Sequence, residues 1–399
     1  MNAVDSYLGL TWDHPRGRAA LEAATQLGGS RAIQLRWETH SLEGFESAPL
    51  RELAGRYDLI VLDHPHLGDA LASGCLRSME SVMGQTFVES VAARAVGPSL
   101  ESYQMEGSTW ALPLDAATQV SVRRADLVTT DPVSWDDVIG LSHDVPVALS
   151  LSGPHAYLSF ASICQSLGKP LARGVSEQLV DPIVGDRALQ IMSDLASRAP
   201  SNTEWQNPIE LLERMAASQE LAFIPLIYGY VGYASSALPR PLTFGSSPSG
   251  DGRQIGSTLG GTGIAITSRA TVTNGLLDYL AWLLSDDVQC GFIPQHEGQP
   301  AMRAAWESEE VNARVGDFYR RTRPSIDGAW TRPRFAGFTA VQSAMSEAIR
   351  EAVRLRHPTA ETLDELTRLQ NNGAAAAHHK EGARSAQRER NTSEVRTGA

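Results

Sequence analysis

Four acidic residues stand next to or within apolar stretches and are candidates for a polar site. Asp13, Glu38 and Asp63 stand at the ends of three such stretches, and Asp115 stands inside WALPLDAATQV (110–120). A buried, unpaired carboxylate is strongly unfavourable, so Asp115 needs a cationic partner, water or a ligand. Two such acids can form an acid–base pair, as in a glycosidase. The same side chains can accept hydrogen bonds from ligand hydroxyls, and we favour binding over catalysis.

Other reactive residues lack the partners that their chemistry needs. Asp63-His64-Pro65-His66 contains metal-ligating side chains, but Pro65 bends the chain and no further ligand lies nearby, so we predict no metal site. The three cysteines form no CxxC pair, which excludes a zinc ribbon and leaves a single disulfide bridge open. No general base lies beside Cys75 in sequence. GGTG (260–263) precedes a strand, which favours a hinge over nucleotide binding, and we predict no cofactor.

Aromatic residues cluster at the ends of predicted elements. They are Trp12, Trp110, Tyr157, Tyr228, Tyr230 and Trp330. Core aromatics usually lie within elements, whereas aromatics at element ends are available to stack on the apolar C–H face of a sugar ring. The alternative for each one is local packing. As a set, they favour a ligand site.

The first 85 residues alternate between strand and helix patterns. Apolar runs at 7–12, 33–38 and 57–63 predict strands, and the segments 15–27 and 42–54 predict helices. This βαβαβ order predicts a parallel sheet with right-handed crossovers. Ligands of open α/β sheets bind beyond the carboxyl ends of the strands, where the first three acidic residues stand.

The rest of the chain predicts a second α/β unit followed by helices. The predicted strands are 118–124, 145–152, 221–230 and the segment after GGTG. Helices are predicted from a capping box at Ser134, from Pro154 and from Asn207-Pro208, and then at 275–285, 338–355 and 361–369. The segment 295–335 is expected to be irregular. The segment 371–399 has no apolar periodicity and is expected to be a disordered tail.

Composition limits the class of protein. The chain has 399 residues, of which 42% are hydrophobic, so it is long enough for two domains or one two-lobed body. A net charge of −12 disfavours nucleic acid and anionic membranes as partners. The first residues, MNAVDSYLGLTW, have no basic start and no long apolar run, so they do not form a signal peptide.

An ordered set of segments resembles the family 1 extracellular solute-binding proteins of ABC importers, the maltose-binding-like group. The segments include LGLTW, WETHSLEGFE, YDLIVLDHPHLGDALASG, GSTWALPLDAATQVSVRRADL, NPIELLERMAASQELAFIPL, GSTLGGTGIAIT and YLAWLLSDDVQ, and they span residues 5–370. The resemblance implies the type II periplasmic-binding fold, an α/β fold with two lobes, each a mainly parallel sheet flanked by helices. Residues 1–117 and 264–320 would form the N-terminal lobe, and 118–263 and 321–370 the C-terminal lobe.

The resemblance also implies a ligand site in the cleft between the lobes. Its residues would be Trp12, Asp63, His64, Asp115, His155, Tyr157, Tyr228, Gly261, Thr262, Trp330 and Arg334. Gly261 and Thr262 would lie at a hinge. Arg334 would pair with Asp115 or clamp an anionic ligand, and the helix after Pro154 would point backbone N–H groups at ligand oxygens.

The function implied is capture of a small polar, sugar-like ligand by a monomer that closes about its hinge and delivers the ligand to ABC permease subunits, without catalysis. Family members are periplasmic and carry export signals, and this sequence shows none, so a cytoplasmic location stays open. Two alternatives also remain. One is an enzyme on the same fold, a hydrolase or a thiaminase-like transferase with a cysteine nucleophile. The other is a cytoplasmic sensor or scavenger without a transporter.

Overall fold

The N-terminal part of the chain forms a parallel three-stranded unit. A computed structural model describes residues 5–26, 33–250, 254–357 and 359–397. The first elements are β1 (Asp5–Trp12), α1 (Pro15–Gln26), β2 (Ile33–His40), α2 (Leu42–Ser47), α3 (Leu50–Arg56) and β3 (Leu59–Leu62). β1 lies between β2 and β3 and is parallel to both. The predicted βαβαβ order is confirmed, except that the helix expected at 42–54 is two helices, separated at Pro49.

The remaining elements follow in chain order. They are α4 (Leu67–Ser73), α5 (Met79–Met83), α6 (Gln85–Arg94), β4 (Gln104–Met105), β5 (Ser108–Thr109), β6 (Leu112–Arg123), α7 (Trp135–Leu141), α8 (His155–Ser166), α9 (Pro182–Ala196), α10 (Pro208–Ala217), β7 (Phe223–Tyr228), β8 (Thr243–Gly245), β9 (Leu259–Ile266), α11 (Asn274–Leu283), α12 (Ile293–Gln295), α13 (Arg303–Glu307), α14 (Glu309–Ala313), α15 (Phe318–Asp327), α16 (Phe338–Leu355) and α17 (Thr359–Thr397).

Two long strands, β6 and β9, connect two lobes. The first half of β6 pairs with β9, and β9 continues beside β3, while the second half of β6 pairs with β7 and β8. We call the part built on β1–β3 the first lobe, and the part built on β7 and β8 with helices α7–α10 and α16 the second lobe. The two-lobed α/β fold is thereby confirmed. The pairs of β6 with β7 and β8 are antiparallel, so the mainly parallel sheet expected in the second lobe is wrong.

Two predicted irregular or extended segments differ in the structure. The segment 145–152 contributes only an isolated bridge, Val147 to Phe223, instead of a strand. The segment 295–335, expected to be irregular, contains α13, α14 and α15. In α15 the buried residues Phe318, Thr322 and Ile326 recur every fourth position, so one face of the helix is buried although arginines lie between these residues in sequence.

The expected disorder from residue 371 is also wrong, because α17 continues to Thr397. Its first turns beyond residue 369 pack on the second lobe: Gln370 donates to the carbonyl of Ala172, and Asn371 donates to the carbonyl of Ser176 at 2.7 Å. Ala374 and Ala377 are buried. Alanines three residues apart let a helix pack closely without the large side chains that apolar periodicity detects.

Arg356 ends α16 in the left-handed region, with φ 54° and ψ 49°. Gly74 ends α4 in the same conformation, where glycine pays no Cβ penalty. We therefore expect Arg356→Gly to raise the free energy of unfolding by about 1 kcal/mol in urea titration. Arg354→Gly, inside the last helical turn, is the matched control and should lower it by about 1 kcal/mol. A lower stability for Arg356→Gly would contradict the account.

Candidate functional site

Arg16, in the first turn of α1, joins the two lobes. Its Nε donates to Oδ2 of Asp115 at 2.6 Å, and its Nη2 donates to Oδ1 of the same carboxylate. Its Nη1 donates to the carbonyl of Gly229, just after β7, at 2.9 Å. Both side chains are buried. Asp115 therefore has a bidentate cationic partner, and that partner also holds the second lobe.

Arg334 does not pair with Asp115, so that prediction is wrong. Its Nη1 donates to three backbone carbonyls of the first lobe, those of Glu101, Ser102 and Gln104, at 3.0, 2.8 and 2.7 Å. These carbonyls converge on one guanidinium nitrogen because the turn before β4 brings them together. The Arg334 guanidinium is thus hydrogen-bonded to backbone carbonyls of the first lobe and does not face Asp115.

A second buried ion pair joins Asp63 to Arg332. Arg332 Nη2 donates to Asp63 Oδ2 at 2.6 Å, and Oδ1 of the same carboxylate accepts from the backbone N–H of His64 at 2.8 Å. Burial alone would raise the pKa of Asp63, but Arg332 and His64 hold it well below its usual value. In the same way, Asp63 raises the pKa of the Arg332 guanidinium against the opposing effect of burial. The pair therefore stays ionised at neutral pH.

Two buried histidines lie around Arg332 and are uncharged at neutral pH. Burial, with a contribution from Arg332, lowers the pKa of His64 to about 4 and that of His155 to about 3. His64 Nδ1 lies 3.1 Å from Asp63 Oδ1. A neutral imidazole offers one donor and one acceptor. The site therefore contains ring nitrogens that can serve hydroxyl groups without adding charge.

Three buried polar atoms in this region have no hydrogen-bond partner within the part of the chain that the structure describes. They are His64 Nε2, Tyr157 Oη and Arg332 Nε. Burial raises the pKa of Tyr157 and Arg332 opposes it, which places the phenol within electrostatic reach of Arg332. Unsatisfied buried groups cost about 1–3 kcal/mol each, so three together need an explanation. Hydrogen bonds to a ligand would explain why these three polar atoms are buried.

Most of the aromatics that the sequence predicted for the site are buried and pack against neighbouring rings. Trp12 stacks on His14 with ring centroids 5.1 Å apart, and Tyr230 meets Trp12 edge-on at 6.1 Å. Tyr157 lies 6.5 Å from Trp330. Tyr228 meets His155 at 5.9 Å. Trp110 differs, because its Nε1 donates to the Met105 carbonyl within the first lobe.

Gly261 and Thr262 lie in β9 where it crosses between the lobes, opposite Ala116 and Asp115 of β6. Gly261 has φ 91°, and a Cβ there would lie 2.4 Å from the Asp115 carbonyl oxygen. Only glycine fits this conformation and this close approach. The strand begins at Leu259, so the glycines are part of β9 and do not precede it as predicted.

At the start of α8, three backbone N–H groups that the sequence predicted to face a ligand are hydrogen-bonded within the protein. The N–H of His155 donates to the Ser152 carbonyl, and that of Tyr157 donates to Ser346 Oγ at 3.2 Å. The N–H of Leu158 donates to the Pro154 carbonyl. These donors are satisfied within the protein, so ligand recognition here rests on side chains.

Sequence reasoning missed Arg16, Arg332 and Gln299. Gln299 accepts from the N–H of Val231 at 3.2 Å and donates to the Ala116 carbonyl at 2.8 Å, so it also joins the lobes. Arg16 had a signal, since it follows the carboxyl end of β1 where ligands of α/β sheets bind. No sequence signal separates Arg332 from Arg334, because the loop has no periodicity that would indicate which side chain faces the cleft.

The chain between α15 and α16 closes onto the first lobe at Gly68. A Cβ on Gly68 would lie 2.1 Å from the Arg334 carbonyl oxygen and 2.4 Å from the Ala336 nitrogen. The N–H of Gly337 donates to Asp69 Oδ1 at 2.9 Å. The lobes therefore meet through backbone here, with no space for a side chain.

Gly68→Ala should separate the lobes without unfolding them. The added methyl group cannot be accommodated against backbone, and such overpacking costs about 1–3 kcal/mol. We expect a larger radius of gyration in small-angle X-ray scattering. Gly55→Ala in α3 is the control, because no described atom outside its chain neighbours and its own helix backbone lies within 4 Å of the added Cβ. Identical scattering from Gly68→Ala and the unchanged protein would show that this contact does not set lobe closure.

Among the described residues, no group of three or more His, Cys, Asp or Glu side chains is placed to hold a metal ion. In particular, His66 Nε2 lies 3.2 Å from the Phe45 carbonyl oxygen, and Asp63 is paired with Arg332. Within the same part of the chain, no helix is long and apolar enough to cross a membrane.

The fold is the two-lobed type II periplasmic-binding fold. No protein-family profile matches the chain, and no curated protein matches its sequence. Among solved structures, maltose-bound MalE3 of T. maritima is similar, with a TM-score of 0.77, 15% identity and coverage of 91% of this chain and 98% of that one.

Two further solved structures share the fold. An ABC transporter solute-binding protein from Agrobacterium radiobacter K84 in complex with ribitol has a TM-score of 0.74 and 17% identity, and the similarity covers 93% of this chain and 100% of that one. The GacH receptor of Streptomyces glaucescens, solved unliganded and with acarbose, has a TM-score of 0.75 and 15% identity, with coverage of 92% and 99%. At these identities the similarity establishes the fold.

Proposed function

We propose that this chain captures an uncharged, hydroxyl-rich small molecule, a carbohydrate or polyol, between its two lobes and delivers it to an ABC importer. The observation that carries the proposal is a set of three buried atoms, His64 Nε2, Tyr157 Oη and Arg332 Nε, for which the described residues provide no hydrogen-bond partner. A ligand hydroxyl both donates and accepts, so it can satisfy an imidazole nitrogen together with a guanidinium or phenol donor. The ligands of the similar structures, maltose, ribitol and acarbose, support the same class.

The charge balance of the site supports an uncharged ligand. Arg16 is neutralised by Asp115 and Arg332 by Asp63. The lowered pKa values of His64 and His155 leave both rings neutral near pH 7. An ionised ligand group buried among these pairs would lack a counter-charge, which is costly.

The division into lobes follows from the same proposal. Residues 1–117 and 264–320 form the N-terminal lobe, and residues 118–263 and 321–370 form the C-terminal lobe. The lobes turn about the β6 and β9 crossings, where Gly261 and Thr262 lie. The protein acts as a monomer, without catalysis, and meets its permease subunits at the outer face of the membrane.

The cysteines support binding over nucleophilic catalysis. Cys75, Cys164 and Cys290 are free thiols. Burial raises the pKa of all three thiols, which disfavours the reactive thiolate. The two carboxylates of the site, Asp63 and Asp115, are each held by an arginine, so neither is free to act as a general acid.

Calorimetric titration with maltose, ribitol, D-mannitol and D-tagatose tests the proposal. At least one should bind, and Trp12→Ala or Trp330→Ala should weaken binding by about 1–3 kcal/mol through lost aromatic contact. Tyr157→Phe should weaken binding by about 1 kcal/mol, because it removes one hydrogen bond. Tyr7→Phe is the control, because its hydroxyl donates to the Thr271 carbonyl in the first lobe. Failure of every compound to bind, or equal loss in Tyr7→Phe, would count against the proposal.

A further inference from the structure

The second lobe contains a cavity that shares no lining residue with the candidate ligand site. Its volume is about 220 Å³, and it lies between the C-terminal end of α9, the turn that follows, and the last turns of α16. Small-molecule sites usually have volumes of roughly 300–1,000 Å³, so this cavity suits a molecule about the size of one ring with one substituent.

Part of the cavity lining is apolar and consists of Leu149, Leu151, Ala196, Pro200 and Val353. Leu149, Leu151 and Val353 belong to the core of the second lobe, so their positions are fixed by packing. An apolar body of a ligand would be desolvated against this wall.

The charged part of the lining is mainly cationic, although the whole chain carries a net charge of −12. Three arginines, Arg350, Arg354 and Arg356, line the cavity, against a single acidic residue, Glu204. A local excess of guanidinium groups on an acidic protein favours an anion at this place.

The three arginines differ in their exposure and in their contacts with the protein. Arg350 is held rigidly: it donates to the Leu151 carbonyl at 2.9 Å, pairs with Glu347 at 2.8 Å, and lies over the ring of the exposed Trp205. Arg354 and Arg356 are exposed, and neither forms an ion pair with another described residue. Their donors are therefore available at the rim, while Arg350 fixes the wall beside them.

The position of Arg356 is a second, independent indication. It occupies the left-handed end of α16, where the chain uses glycine at the end of α4. A non-glycine residue in this conformation is unfavourable, and such residues concentrate at functional sites. The arginine is kept at the cavity rim despite this cost.

We propose that this cavity binds a small organic anion with an apolar body, such as an aromatic carboxylate, with its ring against Leu149, Leu151 and Val353 and its carboxylate on Arg354 and Arg356. The site is separate from the interlobe site, so its occupancy does not depend on the proposed carbohydrate function. Guanidinium groups suit carboxylates because two N–H donors can serve both oxygens.

Calorimetric titration of the full chain with benzoate tests the site, with benzamide as the neutral analogue and inorganic phosphate as an anion without an apolar body. We expect benzoate to bind at least about tenfold more tightly than either compound. Arg354→Gln and Arg356→Gly should each weaken benzoate binding by about tenfold, whereas Arg36→Gln, an exposed arginine of β2, should not change it.

Arg356→Gly separates binding from stability, because it removes the donor while it relieves the strained helix end. Weaker benzoate binding by a variant that is more stable supports the proposal. Absence of benzoate binding, equal binding of benzamide, or unchanged benzoate affinity in the Arg354→Gln/Arg356→Gly double variant would each overturn it.

Discussion

Asp115→Ala should lower the free energy of unfolding by about 3–5 kcal/mol, the cost of leaving a buried charge without its partner. Arg16 would keep one hydrogen bond, from Nη1 to the Gly229 carbonyl, and lose both bonds to the carboxylate. Its side chain is 6% exposed, so water cannot replace the lost acceptor without rearrangement. Because Arg16 contacts both lobes, the loss affects the connection between them as well as the first lobe.

A paired variant isolates the charge effect. Arg16→Met/Asp115→Leu replaces both charges with apolar groups of similar volume, and such replacements are often neutral or stabilising. We expect the double variant to recover most of the stability that Asp115→Ala loses, measured by urea unfolding. If the double variant is as unstable as Asp115→Ala, the loss comes from packing or shape and not from an unpaired Arg16.

The free energy of unfolding should fall steeply as the pH drops from 6.5 towards 4. The pKa of His64 is lowered to about 4 and that of His155 to about 3, mainly by burial. A histidine with a lowered pKa binds fewer protons in the folded state than in the unfolded state. Its contribution to the free energy of unfolding is therefore present above pH 6.5 and is lost as the pH falls. By pH 5 each buried ring should cost about 2 kcal/mol of stability.

The two acidic residues of the site affect the free energy of unfolding differently from the histidines. The pKa of Asp63 is lowered from its usual 3.8, so its contribution to stability is lost only below the pH range in which the histidines act. Burial raises the pKa of Asp115 although Arg16 opposes it, so Asp115 contributes in the opposite direction to the histidines. Variants of the two histidines therefore isolate their part of the pH dependence.

Urea unfolding at pH 7, 6 and 5 measures this dependence. His64→Gln and His155→Gln should each flatten the slope, since glutamine keeps a polar group that does not titrate. His143→Gln is the control, because His143 is exposed. A slope unchanged by both site variants would mean that these rings are not buried as neutral groups.

The periodic parts of the fold could be predicted from sequence. The apolar runs of β1 and β3 and the spacing of apolar residues in α16 gave the correct elements, and both predicted helix starts at Ser134 and Asn207 carry capping boxes. The antiparallel pairs of β6 with β7 and β8 could not be predicted from sequence, because strand direction in a sheet depends on distant connections. The buried alanines of α17 leave no apolar periodicity to detect.

The candidate site was harder to predict than the fold. An acid in an apolar run indicates that a partner exists, and Asp115 has one, but Arg16 lies 99 positions away in sequence. On chemistry alone, Arg334 is an equally suitable partner. The choice between Arg332 and Arg334 depends on how an irregular loop crosses from one lobe to the other, which local pattern does not encode.

A crystal structure of the chain with the sugar or polyol that binds most tightly in calorimetry tests the central claim most directly. We expect a ligand between the lobes, with hydroxyl groups within hydrogen-bond distance of His64 Nε2, Tyr157 Oη and Arg332 Nε. A ligand bound outside the interlobe region, or one between the lobes that leaves all three of these atoms unpartnered, would contradict it.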